Sequence, residues 1–376
     1  MSIDAPHLYR KAALAAGRSN AAVEATLSRA HTTALRGAVP IFSLGHLARL
    51  SNVDYQFLHD VVCRKVDPYQ SITMRKPSGK IRPISAPNQE LKAVQQVILY
   101  RALRNLDPNP SSFAYTKNLS VLDCAKRHVG ARWVIKMDLR DFFSSVDERS
   151  AYRTFIKRGY ASLMAFEMAR ICTRDRSPRR GAREYVDRYP RIPGYACGSV
   201  GMLPQGAPTS GALANEAARP LDRKLASLAA SSGGIYTRYS DDLAFSWAQD
   251  VDRSHLHGFV SNVTELCALQ GFSVHRRKTR ILSPGSRKVI LGLLVDESSV
   301  RLLPEFKRRV DNHIRCVAKF GASKHAEERG FMSIFEMVNH VDGCLAYSHG
   351  IEPGWTEVRN TKWKEALSKS GIQSAT

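Results

Sequence analysis

Along the chain, stretches with apolar residues at helical spacing alternate with short runs rich in β-branched residues. Leu44, Leu47, Ala48 and Leu50 recur at helical spacing behind Ser43, a natural N-cap, and residues 1–65 read as helical. Asp67-Pro68 closes that region. In residues 69–87, two β-branched runs flank Lys76-Pro77-Ser78-Gly79-Lys80, which predicts a hairpin with a basic tip. Leu91, Val94, Ile98 and Leu99 form one stripe of an amphipathic helix over 88–106. WVIKMD, 133–138, reads as a buried strand ending in an acid, and a helix over 147–172 follows. Residues 174–199 are rich in Arg, Pro and Gly and have no period, as in an inserted basic loop whose default reading is solvation. Helical spacing returns over 212–230 despite Pro220, and 235–247 reads as two strands around a tight turn. A helix and a strand are expected over 257–274, one apolar strand over 288–296, and basic helices from Pro304 onward. The order is mixed α and β, with strands from distant parts of the chain sharing a sheet.

Charge changes the picture. The 376 residues carry 56 Lys and Arg against 34 Asp and Glu, a net charge of +22. A surplus of that size suits a polyanionic partner, because cations that replace counterions on a phosphate backbone gain affinity. An anionic membrane surface is the competing reading, but no basic amphipathic anchor stands out. The seven cysteines are scattered, with no C-x-x-C pair and no His spacing that completes a zinc site. Reduced thiols, no signal-peptide core and no stretch long enough to cross a bilayer together predict a cytoplasmic protein.

The sharpest chemical signal is Tyr239-Ser240-Asp241-Asp242, two adjacent carboxylates at a turn between strands. Such a pair is costly unless cations occupy it, and oxygen ligands favour Mg²⁺. Asp is common in turns, so the pair alone is weak. Asp138, ending an apolar strand and followed by Asp141, Phe142 and Phe143, and then Leu203-Pro204-Gln205-Gly206-Ala207-Pro208 give it company. A strand with Asp-x-x-x-Phe-Phe, then Pro-Gln-Gly, then Tyr-x-Asp-Asp resembles the palm of reverse transcriptases, and the chain is most similar to the bacterial retron-type enzymes over roughly residues 40–350.

That resemblance implies a right-hand polymerase fold. N-terminal helices would span 1–65, fingers 66–132, a palm 133–285 carrying the 174–199 loop, primer-grip strands 286–303 and a helical thumb 304–376. It implies two Mg²⁺, with Mn²⁺ as a substitute, held by Asp138, Asp241, Asp242 and the Leu139 position. Phe143 matches the aromatic gate that crowds a ribose 2′-OH, and Gln205 and Gly206 match the motif against the nascent base pair. Lys76 and Arg82 match fingers residues that meet the dNTP triphosphate, with Arg75 and Lys80 as alternatives to Lys76. Lys278 matches a lysine that protonates pyrophosphate, its bland alternative being one member of a solvated basic run. Tyr239, His128, Leu291, Gly292, Lys307, Arg308, Arg309 and Arg315 are expected to contact RNA or primer.

The likeness has departures. Cys124-Ala125-Lys126-Arg127-His128 has Cys where the family carries Asn, and Val289-Ile290-Leu291-Gly292 has Leu at a Thr place. Thr209-Ser210-Gly211 has Gly at a Pro place, while Asn215 is kept. The resemblance implies copying of a structured non-coding RNA into single-stranded DNA from a 2′-OH, and a partner effector protein in defence against phage. A group II intron-like enzyme, another defence polymerase, an RNA-dependent RNA polymerase and a silent RNA-binding scaffold are the alternatives.

Overall fold

The computed structural model describes residues 6–75, 81–175 and 200–372, with residues 75 and 81–83 described in main chain only. Four helices open it: α1 (Pro6–Ala15), α2 (Asn20–Leu35), α3 (Leu44–Ser51) and α4 (Tyr55–Val62). The hairpin β1 (Tyr69–Arg75) and β2 (Ile81–Pro87) follows, then α5 (Gln89–Arg101), α6 (Val121–Lys126) and β3 (Trp133–Arg140). Next come α7 (Glu148–Lys157), α8 (Ser162–Cys172), α9 (Ser210–Ser231), β4 (Ile235–Tyr239), β5 (Asp242–Trp247) and α10 (Arg253–Leu269). Short strands β6 (Ser273–Val274), β7 (Arg280–Leu282), β8 (Val289–Ile290), β9 (Leu293–Val295) and β10 (Val300–Leu302) lead to α11 (Pro304–Phe320), α12 (Ala322–Glu328), α13 (Ile334–His349) and α14 (Pro353–Lys369). Lys76, Lys80 and residues 176–199 of the stretch read as a basic loop over 174–199 lie outside the described residues, as do the Arg75 and Arg82 side chains.

The chain divides into two compact units, one of residues 1–117, 139–225 and 262–275 and one of residues 118–138, 226–261 and 276–376. The first unit is mainly helical, with Leu47, Leu58, Leu91, Ile98, Phe155 and Met168 fully buried. Each such side chain contributes about 1.5–3 kcal/mol by leaving water. A charged knot lies in the same core. Glu148 accepts from Arg64 Nη2 and from Arg170 Nε, both at 2.7 Å, and from the Gly201 amide at 3.2 Å.

In the second unit β3 is central. Trp133–Asp138 pair antiparallel with β5, and Val134–Lys136 pair with β7 on the other edge. Strand β4 adds beyond β5 through a two-residue turn. The apolar side chains of β8, β9 and β10 pack with Val134, Ala244 and Ala125. Helix α11 turns Val310, Ile314 and Val317 toward Met337, Val341 and Leu345 of α13 and Trp363 and Leu367 of α14. Those positions repeat at one-turn spacing, so a single apolar stripe from each helix closes the cluster.

Two expectations needed correction. The helix over 147–172 is two helices, because Gly159 adopts φ +89° between them. A Cβ there would stand 3.1 Å from the main-chain nitrogen of Thr33, so the break is also a packing point. The single strand over 288–296 is a hairpin. Leu291 and Gly292 take φ of +49° and +80°, the sign pattern of a type I′ turn, and reverse the chain between β8 and β9. Ser43 caps α3 as expected, accepting from the His46 amide. No helix among the described residues is long and apolar enough to cross a membrane.

Candidate active site

Alternation along β3 directs Ile135, Met137 and Leu139 into the core and leaves Lys136 and Asp138 partly open on the other face. Asp138 then lies directly opposite Asp242 in the β3–β5 register. Asp242 in turn faces Tyr239 across the β4–β5 turn, whose two residues are Ser240 and Asp241. Three carboxylates are thus gathered by one register and one tight turn. Like charges directly opposite each other destabilise a sheet, so the arrangement needs compensation.

Part of the compensation comes from a neighbouring lysine. Lys278 Nζ lies 2.7 Å from Asp138 Oδ2. It ends the 3₁₀ turn Arg276–Lys278 that precedes β7. Burial lifts the Asp242 carboxyl to about 6; Asp241 and Asp138 add to the rise, and Lys136 and Lys278 oppose it. Asp242 is nevertheless an exposed residue. Its loss of hydration is therefore partial, and the crowding of carboxylates is the part of the rise that geometry supports directly. Among the described residues no three side chains form a ready-made metal cage. Mg²⁺ seldom uses one, binding instead through one or two carboxylates, water and substrate phosphates, and the all-oxygen, mutually repelling donor set fits such an ion. The Leu139 side chain is buried, leaving only its main-chain carbonyl as a donor.

The turn itself is strained. Ser240 takes φ +59° while Asp241 does not take positive φ, a sign pattern of type II′ that ordinarily favours glycine at the first place. Fully buried Arg238 on β4 donates from Nη1 to the Ser240 carbonyl at 3.1 Å. Sequence reasoning missed Arg238 and Lys136. Both were legible, as a charge inside a buried strand two residues before a turn and as the residue sharing Asp138's face of β3.

Beside the acids lies a cleft of about 450 Å³, lined by Lys136, Thr237, Tyr239, Asp242, Leu291 and Gly292 among others. Three of the residues expected to meet RNA or primer, Tyr239, Leu291 and Gly292, are brought together there. His128 is not. It is 1% exposed, with Nδ1 2.7 Å from Ser246 Oγ and Nε2 2.7 Å from Thr237 Oγ1. Burial lowers it to about 4, so it is a neutral ring that ties α6's end to β4 and β5. Cys124 donates to the same Thr237 oxygen at 3.3 Å. The motif read as RNA recognition is therefore an interior fastener, and Cys in the Asn place still finds a hydrogen-bond partner.

On α11, Lys307 pairs with Glu352 and lies 5.5 Å from the centre of the Trp355 ring. Arg308, Arg309 and Arg315 are exposed. In the first unit, Phe143 packs between Phe142 and Tyr115, at 5.6 and 5.9 Å between ring centres. Gly206 adopts φ +119°, and a Cβ there would meet Ile84 Cγ2 at 2.7 Å and the Ser85 carbonyl at 2.9 Å. The Gln205 carbonyl accepts from the Ser85 amide at 2.8 Å, which sets the Pro-Gln-Gly turn against β2.

The family profile of reverse transcriptases (RNA-dependent DNA polymerases) matches residues 74–304, a span that holds both the three acids and the Pro-Gln-Gly turn. The chain belongs to the reverse transcriptase family. Among curated proteins it is similar to the Retron Mx162 reverse transcriptase of Myxococcus xanthus, 34% identical over 62% of this chain and 49% of that one. It is similar to the Retron Ec86 reverse transcriptase of Escherichia coli at 28% identity over 79% of this chain and 85% of the relative. The Retron Mx65 reverse transcriptase of Myxococcus xanthus is 31% identical over 78% of this chain and 64% of its own length. The chain thus spans about half of the first relative and most of the second. A foamy viral protease-reverse transcriptase structure aligns at 14% identity with a TM-score of 0.44, covering 82% of this chain and 40% of that one, too low a likeness to carry weight.

Proposed function

We propose that this member of the family is a retron reverse transcriptase. It copies a structured non-coding RNA into single-stranded DNA, starting from an RNA 2′-OH. The observation that carries the polymerase part is the cross-strand pair Asp138 and Asp242 at a turn that adds Asp241, with Lys278 on Asp138. The retron part rests on the relatives, each a retron enzyme.

Asp138, Asp241, Asp242 and the Leu139 carbonyl hold two Mg²⁺ in this reading, with Mn²⁺ as a substitute. When bound, the ions supply charge neutralisation and activation of the primer hydroxyl, as phosphoryl transfer requires. The protein's own share is positioning. The β3–β5 register fixes the distance between the acids. Lys278 keeps an ammonium beside them as a proton donor for pyrophosphate. In this reading Phe143 crowds the ribose 2′-OH of an incoming nucleotide, and Gln205 and Gly206 support the base pair. Lys76 and Arg82 serve the triphosphate. Tyr239, Leu291 and Gly292 seat the primer end in the cleft, and exposed Arg308, Arg309 and Arg315 follow the duplex by phosphate contacts. The fingers, palm, primer-grip and thumb boundaries proposed from the sequence go with this assignment. So do a cytoplasmic location and a defence role with an effector protein as partner.

The test expresses the gene with its native flanking DNA beside an Asp241→Asn, Asp242→Asn variant. Nucleic acid bound to each purified protein is digested with RNase and with DNase. RNase-resistant single-stranded DNA joined to RNA through a 2′ linkage, found only with the active protein, is the expected result. DNA without that linkage keeps the polymerase and discards retron priming. RNA alone in both samples favours the scaffold reading.

A further inference from the structure

We propose that Tyr115 is a positioning residue for nucleotide selection: it holds the Phe143 ring in the orientation that excludes ribonucleotides. The inference rests on the reading of Phe143 as the sugar gate.

Tyr115 is built into its place at a cost. It adopts φ +58° and is 56% exposed. A bulky residue at positive φ is an outlier that persists only where the surroundings impose it. Helix α9 imposes it here. Asn215 Nδ2 donates to the Ala114 carbonyl at 2.7 Å, and Ser112 Oγ donates to Asn215 Oδ1 at 3.1 Å. The Thr116 hydroxyl lies 3.3 Å from the carbonyls of Ser112 and Ala114, closing the turn on itself. The kept Asn215 therefore has a structural task, which is to pin the turn that presents Tyr115.

Gly211 completes the seat. A Cβ there would lie 2.5 Å from Tyr115 Cγ, 2.7 Å from Cδ1 and 2.9 Å from Cβ. These are atoms at the root of the side chain, which cannot swing away as a flexible tip can. The Gly at a Pro place is thus the bare patch on which the Tyr115 ring rests. From there the ring meets Phe143 edge-on, at 5.9 Å and 61°. On its other side Phe143 touches Phe142, which stacks on Phe272 at 5.7 Å and is 3% exposed. One flank of the gate is therefore core, and the other is the exposed Tyr115 ring held by α9. An ordinary surface tyrosine needs neither the strain nor the missing Cβ.

The test measures single-nucleotide incorporation by the full chain with dNTP and with the matching rNTP, and takes the ratio of kcat/KM. Phe143→Ala is the reference. Tyr115→Ala and Gly211→Ala are expected to lower the dNTP preference by up to about tenfold, as loss of an edge-to-face pair allows. Tyr115→Phe, which keeps the ring, is expected to retain it. A lowered preference in Phe143→Ala but in neither of the other two alanine variants overturns the role of Tyr115 and leaves the gate standing. Equal losses in Tyr115→Phe and Tyr115→Ala also overturn it, since the hydroxyl would then be the active part. An unchanged preference in Phe143→Ala removes the gate itself.

Discussion

The interior reading of His128 makes a quantitative prediction about pH. Its folded-state value of about 4 lies below the ordinary 6.5 because burial disfavours the charged ring. Above pH 6.5 neither the folded nor the unfolded state binds the proton, and His128 contributes no pH dependence. As pH falls from 6.5 toward 4 the unfolded state is protonated first, so folded stability is lost at about 1.4 kcal/mol per pH unit. Between pH 7.5 and 5.0 the loss from this residue is about 2 kcal/mol, reaching about 3 kcal/mol near pH 4. His128→Asn removes that slope. It also weakens the bonds to Thr237 and Ser246, at about 1–3 kcal/mol for each hydroxyl left without a partner. Because the chain has two compact units and need not unfold as one, the assay is amide exchange of β4 and β5, corrected for intrinsic rate. His46 and His313, also held near 4, are common to both proteins and cancel in the comparison. The variant is expected to be less stable at pH 7.5 but to lose less on acidification. Parallel losses in the two proteins would refute the buried neutral ring.

Further outcomes are expected elsewhere. Glu148→Ala takes from the core the carboxylate that Arg64 and Arg170 share and should cost about 3–5 kcal/mol, read as a lower thermal midpoint. Gly206→Ala meets Ile84 and the Ser85 carbonyl and forces a positive φ on alanine, so the Pro-Gln-Gly turn must shift; a raised KM for dNTP in primer extension is expected, and an unchanged one counts against the contact. Arg308→Ala combined with Arg315→Ala should lower the slope of log affinity against log salt by about 2 on duplex substrate. An unchanged slope would remove these residues from the phosphate-contacting surface.

Much of the site was legible because its chemistry is local. The turn with Asp241 is a two-residue hairpin that opens β5 at Asp242, and Asp138 lies on β3, so pattern and order place two acids on paired strands and the third on the turn between them. What the sequence could not show depends on residues far apart in the chain. His128 and Cys124 look like polar residues on a helix end until Thr237 and Ser246 of β4 and β5 close around them. Gly159 breaks a helix by its contact with Thr33, more than a hundred residues earlier. Leu291 at positive φ has no propensity signal at all, since leucine rarely takes that conformation; only the pairing of β8 with β9 reveals the turn. Gly211 read as a change in loop stiffness, and its service to Tyr115 appears only when α9 meets the 112–116 turn.

The most direct test of the account is primer extension on an RNA template by the wild-type chain and by Asp241→Asn, with binding of the same RNA measured in parallel. The account predicts that the variant makes no DNA while its RNA affinity stays close to wild type, because Asp241 acts at the acid cluster and not in the phosphate-contacting surface. Normal DNA yield from Asp241→Asn would contradict the assignment of the acid cluster as the catalytic centre.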